Sequence, residues 1–127
     1  MPIVRIDHPQ GKSAAYKQAL SAGVHAALRD TFDVPEHDYF QVLVEHSAAQ
    51  LVHPAAYLGV SYSADFVMIQ ITCNDTRGSE QKQALYRAIG DRLNAAPGLR
   101  REDILINLVE VKKQNWSFGN GLAQYAS

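Results

Sequence analysis

Apolar residues recur along this chain with two different periods, one of about four residues and one that is nearly continuous over short runs. Leu20, Val24, Leu28 and Phe32 return every four residues, which sets them on one stripe of a helix that stops near Val34-Pro35, where proline disfavours continuation. Leu85, Ile89 and Leu93 repeat the pattern and predict a second helix that opens at Ser79, read as its N-cap, and ends before Pro97-Gly98. Both stripes read as core-forming faces. Enrichment in β-branched and aromatic residues between turn residues predicts strands at about 2–7, 39–46, 65–73 and 103–111. Phe66 to Ile71 is almost continuously apolar, and Ile104-Leu105-Ile106 is interrupted only at Asn107, so these two are expected to be central strands buried on both faces. Residues 47–64, with His53-Pro54, Tyr57, Leu58-Gly59 and Tyr62, are expected to form a loop or short hairpin.

Both patterns belong to an internal repeat. Lys17-Gln18-Ala19-Leu20 returns as Lys82-Gln83-Ala84-Leu85, an offset of 65 residues. Asp38, followed by Leu43-Val44-Glu45, returns at the same offset as Asp103 followed by Leu108-Val109-Glu110, and Pro2 to Asp7 falls on Val67 to Thr72. Each half therefore reads strand, helix, strand. The predicted fold class is α+β: two β-α-β pseudo-repeats, about 2–46 and 67–111, joined by right-handed crossovers into a four-stranded sheet with both helices on one face. The whole of 1–127 reads as a single domain with a C-terminal tail at 112–127. Such a sheet leaves its other face open, and an apolar open face is expected to be buried against copies of the same chain in a closed oligomer.

Composition narrows the partners more than the fold. A chain of 127 residues can bury one core, and a formal net charge of -1 gives no attraction to nucleic acid or anionic membranes. Arg5 and Asp7 interrupt the opening segment, so it lacks the apolar stretch of a signal peptide, and no later run reaches membrane-spanning length; a cytoplasmic location is expected. Cys73 has no disulfide partner and no zinc-ligand spacing around it, and reads as a buried, reduced thiol. His8, His25, His37, His46 and His53 show no paired metal-ligand spacing, and no phosphate loop or nucleophile elbow is present, so neither a metal nor a cofactor is implied.

Pro2 is the sharpest chemical feature. Methionine is normally removed ahead of so small a second residue, which leaves a secondary amine at the start of a strand. An α-amino group titrates at about 7.7–8.0 when unperturbed. Burial lowers that value toward a useful base, and a nearby carboxylate raises it toward a useful acid. The other candidates are ambiguous by themselves: Asp38 reads equally as a turn residue ahead of a strand, Arg77 as a solvated loop cation, and Trp116 and Phe118 as core or interface aromatics.

Taken together, Met1-Pro2-Ile3-Val4, the doubled β-α-β repeat, Asp38-Tyr39-Phe40-Gln41 and the ending Asn115-Trp116-Ser117-Phe118-Gly119-Asn120-Gly121 resemble the tautomerase superfamily, specifically its malonate semialdehyde decarboxylase branch. The resemblance runs from Pro2 to about Tyr125. It implies a catalytic amino-terminal proline at Pro2, an aspartate at Asp38 that holds Pro2 or a water, a carboxylate anchor at Arg77, an aromatic wall at Trp116, Phe118 and Tyr125, and a homotrimer. That branch carries two arginines one residue apart after the third strand, and here Asp75 stands in place of the first. A guanidinium fork matches a carboxylate in shape and charge. Asp75 therefore weakens the hold on a small carboxylate and counts against decarboxylation, while a substrate with another group beside Asp75 gains. The function so implied is a cofactor-independent enzyme acting on small oxo acids or their enols, by keto–enol tautomerisation or related hydration. Malonate semialdehyde decarboxylation is the alternative within the family. A non-catalytic oligomer that binds or supports is the alternative from another class.

Overall fold

The structure is a computed structural model that describes residues 1–125. Strand β1 (Pro2–Pro9) leads through helix α1 (Ala14–Phe32) to β2 (Phe40–His46), a small hairpin of β3 (Ala56–Tyr57) and β4 (Val60–Ser61) follows, and then β5 (Val67–Asn74), α2 (Ser79–Ala95) and β6 (Ile104–Val111), with short 3-10 turns at Arg101–Asp103 and Lys113–Asn115. The main sheet has the order β2-β1-β5-β6. Within each repeat the strands run parallel, and the two repeats meet at the antiparallel β1–β5 pair. The predicted doubled β-α-β sheet is therefore the observed one.

Local chemistry explains where the elements begin and end. Ser13 caps α1, its hydroxyl accepting the Tyr16 N–H at 3.1 Å, and Asp33 ends the helix in the left-handed region at φ 54°. Helix α2 opens at Ser79 as expected, but Ser79 is its first helical residue and not its cap: Gly78 occupies the cap with no side-chain bond. Glu80 in the first turn supplies the negative charge that a helix N-terminus favours, and the Ser79 hydroxyl accepts instead from Gln83 at 3.3 Å. The 47–64 segment holds the β3–β4 hairpin, whose two turn residues, Leu58 (φ 49°) and Gly59 (φ 82°), both adopt the left-handed conformation that a tight two-residue turn requires.

The core lies between the sheet and both helices. Val4 and Ile6 of β1 and Val67, Ile69 and Ile71 of β5 face Leu20, Val24, Leu28 and Phe32 of α1 and Leu85, Ile89 and Leu93 of α2, all buried. Each such side chain contributes about 1.5–3 kcal/mol on leaving water. Gly23 permits the close approach of the helices, since a Cβ there would lie 2.7 Å from Leu93 Cδ2.

One strand assignment is corrected. β5 is central, but β6 is an edge strand, and the second central position belongs to β1. The antiparallel join puts the first strand of each repeat inside and the second outside. Ile104, Ile106 and Leu108 pack on the core, while Leu105 and Val109, each 38 % exposed, point to the uncovered side. That open face is banded rather than uniformly apolar. Register aligns Phe40, Ile3, Thr72 and Val109 in one row, and Val42, Arg5, Gln70 and Asn107 in the next. Gln70 donates to Asn107 at 3.1 Å, and Arg5 pairs with Asp7 at 2.9 Å. Among the described residues no helix is long and apolar enough to cross a membrane.

Candidate active site

The first strand of the chain carries its amino end into the middle of the sheet. Pro2 is buried and pairs with Cys73 of β5 on one side, while Ile3 pairs with Phe40 of β2 on the other. Asp38, two residues ahead of Phe40, is brought to the same end. Its Oδ2 lies 3.6 Å from the Met1 ammonium nitrogen, and the Met1 side chain is only 5 % exposed. Asp38 Oδ1 is buried without a hydrogen-bond partner. A buried carboxylate oxygen left in this way costs the desolvation of that group, on the order of 1–3 kcal/mol or more, so the site holds an acceptor awaiting a donor.

The repeat supplies an internal comparison. Asp103, 65 residues after Asp38, is fully buried and accepts from Ser63 N–H at 2.7 Å and from the Ser63 hydroxyl at 2.6 Å. One aspartate fastens a loop to the sheet; its counterpart keeps Oδ1 unpartnered beside the amino terminus.

Arg77 reaches the same end from the β5–α2 connection. It donates to the Phe32 carbonyl at 2.8 Å and lies over the Phe32 ring at 4.7 Å, against the last turn of α1. Among the described residues it has no carboxylate within 4.0 Å, and a guanidinium has five N–H donors, so most of its hydrogen-bonding capacity is uncommitted. The Cys73 thiol reports the neighbourhood: burial pushes it up, Glu110 adds to that, and Arg77, the amino terminus and Lys82 oppose it. Asp75 is exposed directly after β5, its N–H donating to the Val111 carbonyl at 3.1 Å.

The aromatic residues form their own cluster at the end of β5. Trp116 is buried and donates its indole N–H to Asn74 at 2.7 Å; it stacks on Phe118 with centroids 5.5 Å apart, and Phe118 meets Tyr125 edge-on at 4.9 Å. Among the described residues no hydrogen bond or ion pair joins Arg77 or these aromatics to Pro2 or Asp38. Asn74, the residue that anchors the aromatic wall, was missed in the sequence. Its signal was available: a buried amide at the end of an apolar strand needs a partner, and the tail's one indole is a donor. No group of three or more His, Cys, Asp and Glu among the described residues could hold a metal ion.

Two family models described as "Tautomerase enzyme" match the chain, one over residues 38–119 and the other over residues 2–53. A probable tautomerase of Bacillus subtilis (strain 168), YusQ, is 38% identical over 124 residues, which is 98% of each chain. Among solved structures, a malonate semialdehyde decarboxylase inhibited by 3-bromopropiolate is 33% identical with a TM-score of 0.90, covering 97% of this chain and 93% of its own. A fused 4-OT symmetric trimer shares the fold at 23% identity and a TM-score of 0.79, over 98% of each chain.

Proposed function

This chain belongs to the tautomerase superfamily, and from that premise we propose that it is a Pro2-dependent enzyme acting on small oxo acids or their enols, by keto–enol tautomerisation or related hydration. The observation that carries the reading is the unpartnered Asp38 oxygen buried beside the amino end of β1. Removal of Met1 turns the Pro2 nitrogen from a tertiary amide into a secondary amine, the donor that this carboxylate lacks. In ketonisation the amine takes the proton from the enol oxygen and returns one to the carbon beside the new carbonyl, as the carbon–carbon double bond gives way to the carbon–oxygen one. Asp38 orients the amine. Arg77 offers its free donors to the substrate carboxylate, and Trp116, Phe118 and Tyr125 exclude water, which strengthens both contacts.

Malonate semialdehyde decarboxylation is the second reading, favoured by the 33% identity to an enzyme of that name. Asp75 weighs against it, because an exposed carboxylate beside the anchor repels a second one. The exposed apolar side chains Ile3, Phe40, Leu105 and Val109 on the open sheet face, with a neighbouring fold known as a symmetric trimer, support a homotrimer closed through that face.

The deciding experiment compares mass-verified Met1-free protein with a Pro2→Ala variant on phenylpyruvate enol and on malonate semialdehyde. Ketonisation by the native protein that falls by about a hundredfold or more in the variant is expected. Carbon dioxide release that depends on Pro2 selects the second reading, and turnover of neither substrate overturns both.

A further inference from the structure

The repeat extends past the strands into the loops that surround each end of the sheet. The Gln10 N–H donates to the His46 carbonyl at 2.9 Å as the Asp75 N–H donates to Val111 at 3.1 Å, and Gln50 to Ser47 at 3.0 Å as Asn115 to Lys112 at 2.9 Å. All four residue pairs so related are 65 apart. The end of the sheet remote from Pro2 contains a cavity of about 420 Å³ whose walls include Pro9, Gln10, His46, Leu51, His53 and Phe66. Counted along the repeat, these answer to Asn74, Asp75, Val111, Trp116, Phe118 and Met1. The cavity is thus the repeat image of the candidate active site, within the size range of ligand pockets.

Its chemistry has changed. The image of Pro2 is Val67, whose nitrogen is an ordinary peptide amide, and the image of Asp38 is Asp103, already saturated by Ser63. The image of Arg77 is Lys12, which pairs with Asp65 at 2.8 Å and does not line the cavity. Neither a nucleophilic amine nor a lysine or arginine lines the space, so a carboxylate meets no fixed cation there. What remains is an apolar floor with two imidazoles. The His53 ring stands 4.5 Å from the buried Phe66 ring. His53 Nδ1 donates to the Pro54 carbonyl at 2.8 Å, and His46 Nε2 donates to Asp7 at 2.6 Å. A carbonyl and a carboxylate only accept, so in each neutral ring the other nitrogen carries the lone pair.

We propose that this repeat-related cavity is a second, non-catalytic binding site for small neutral aromatic molecules that carry one hydroxyl donor, the phenol class. The aromatic body is received by Phe66 and Leu51, and the hydroxyl donates to an imidazole nitrogen. It stands independently of the Pro2 reading, because no residue of that site takes part.

The test is phenol titrated into isotope-labelled full-length protein, with amide shifts followed by NMR and toluene and benzoate as comparisons. Shifts at Pro9-adjacent, Leu51 and His53 amides are expected, with phenol binding at least about tenfold tighter than either comparison. Ala48→Phe, at an exposed position on the cavity wall, is expected to weaken phenol by about tenfold or more, and His53→Phe to remove the preference over toluene while keeping the ring. Shifts confined to Trp116 and its neighbours, binding unaltered by Ala48→Phe, or benzoate binding as well as phenol each overturn the proposal. So does loss of the cavity to a second copy, seen as shifts that follow protein concentration instead of phenol.

Discussion

The two repeat-related aspartates predict unequal outcomes for the same substitution. In Asp103→Ala the Ser63 N–H and hydroxyl, held at 2.7 and 2.6 Å by a side chain with no solvent exposure, lose their acceptor together. Hydrogen bonds to a charged group are worth about 1.5–3 kcal/mol each. Removal of the buried charge's own desolvation cost offsets part of the pair, so the net loss is about 2–4 kcal/mol. The Arg100 contact at 3.7 Å adds little, since Arg100 is half exposed. In the chain that retains Met1, Asp38→Ala removes an unpartnered buried oxygen and one long contact to the amino terminus at 3.6 Å, and is expected to cost about 1 kcal/mol or less. Urea unfolding at one fixed protomer concentration, which keeps any assembly contribution constant, reads both. With a slope of about 1–3 kcal/mol per molar urea, Asp103→Ala moves the midpoint down by roughly one molar or more, and Asp38→Ala moves it by less. Equal losses in the two variants would refute the assignment of one aspartate to stability and the other to chemistry.

Trp116→Phe keeps the stack on Phe118 but leaves Asn74 without its donor, and is expected to cost about 1–3 kcal/mol by urea unfolding. Tyr16 has a buried, unpartnered hydroxyl, and burial, with Asp65, pushes its phenol up to about 12. The folded state holds this proton more tightly than the unfolded chain, so its contribution is present below pH 10 and disappears as pH rises toward 12; Tyr16→Phe is expected to flatten that alkaline loss and to be neutral or slightly stabilising, checked by thermal unfolding between pH 9 and 12. Burial raises the Asp7 carboxyl, but hydrogen bonds from Arg5 and His46 outweigh it and hold the group below its ordinary value. Its contribution is present above the usual carboxylate range and is lost as pH falls through the lowered value, so Asp7→Asn is expected to reduce the acid sensitivity of unfolding between pH 5 and pH 2.

The repeat made most of the fold legible, because an offset shared by three segments specifies equivalent elements without any propensity being decisive. What it did not specify was strand order. The apolar run at Ile104–Ile106 resembles a strand buried on both faces, yet Leu105 and Val109 remain exposed in the single chain; the run describes a surface that a monomer leaves open. Ser79 failed as a cap for a similar reason: cap preference is worth only about 1 kcal/mol, and the backbone was already extended at Gly78. For the site, sequence spacing brought Asp38 to the amino end through strand register alone. It could not reveal that Arg77 is held by the Phe32 carbonyl, since that contact joins segments 45 residues apart.

Joining two copies of a β-α-β unit in one polypeptide has a genetic consequence. In a symmetric pair of identical subunits, every codon change appears at both ends of the sheet at once, so a residue good for anchoring at one end and for reactivity at the other cannot be selected. Once the halves are fused, each end diverges alone. The Asp38 and Asp103 positions show that divergence: Asp103 is saturated by Ser63 in a structural role, whereas Asp38 keeps one oxygen unpartnered beside the amino terminus.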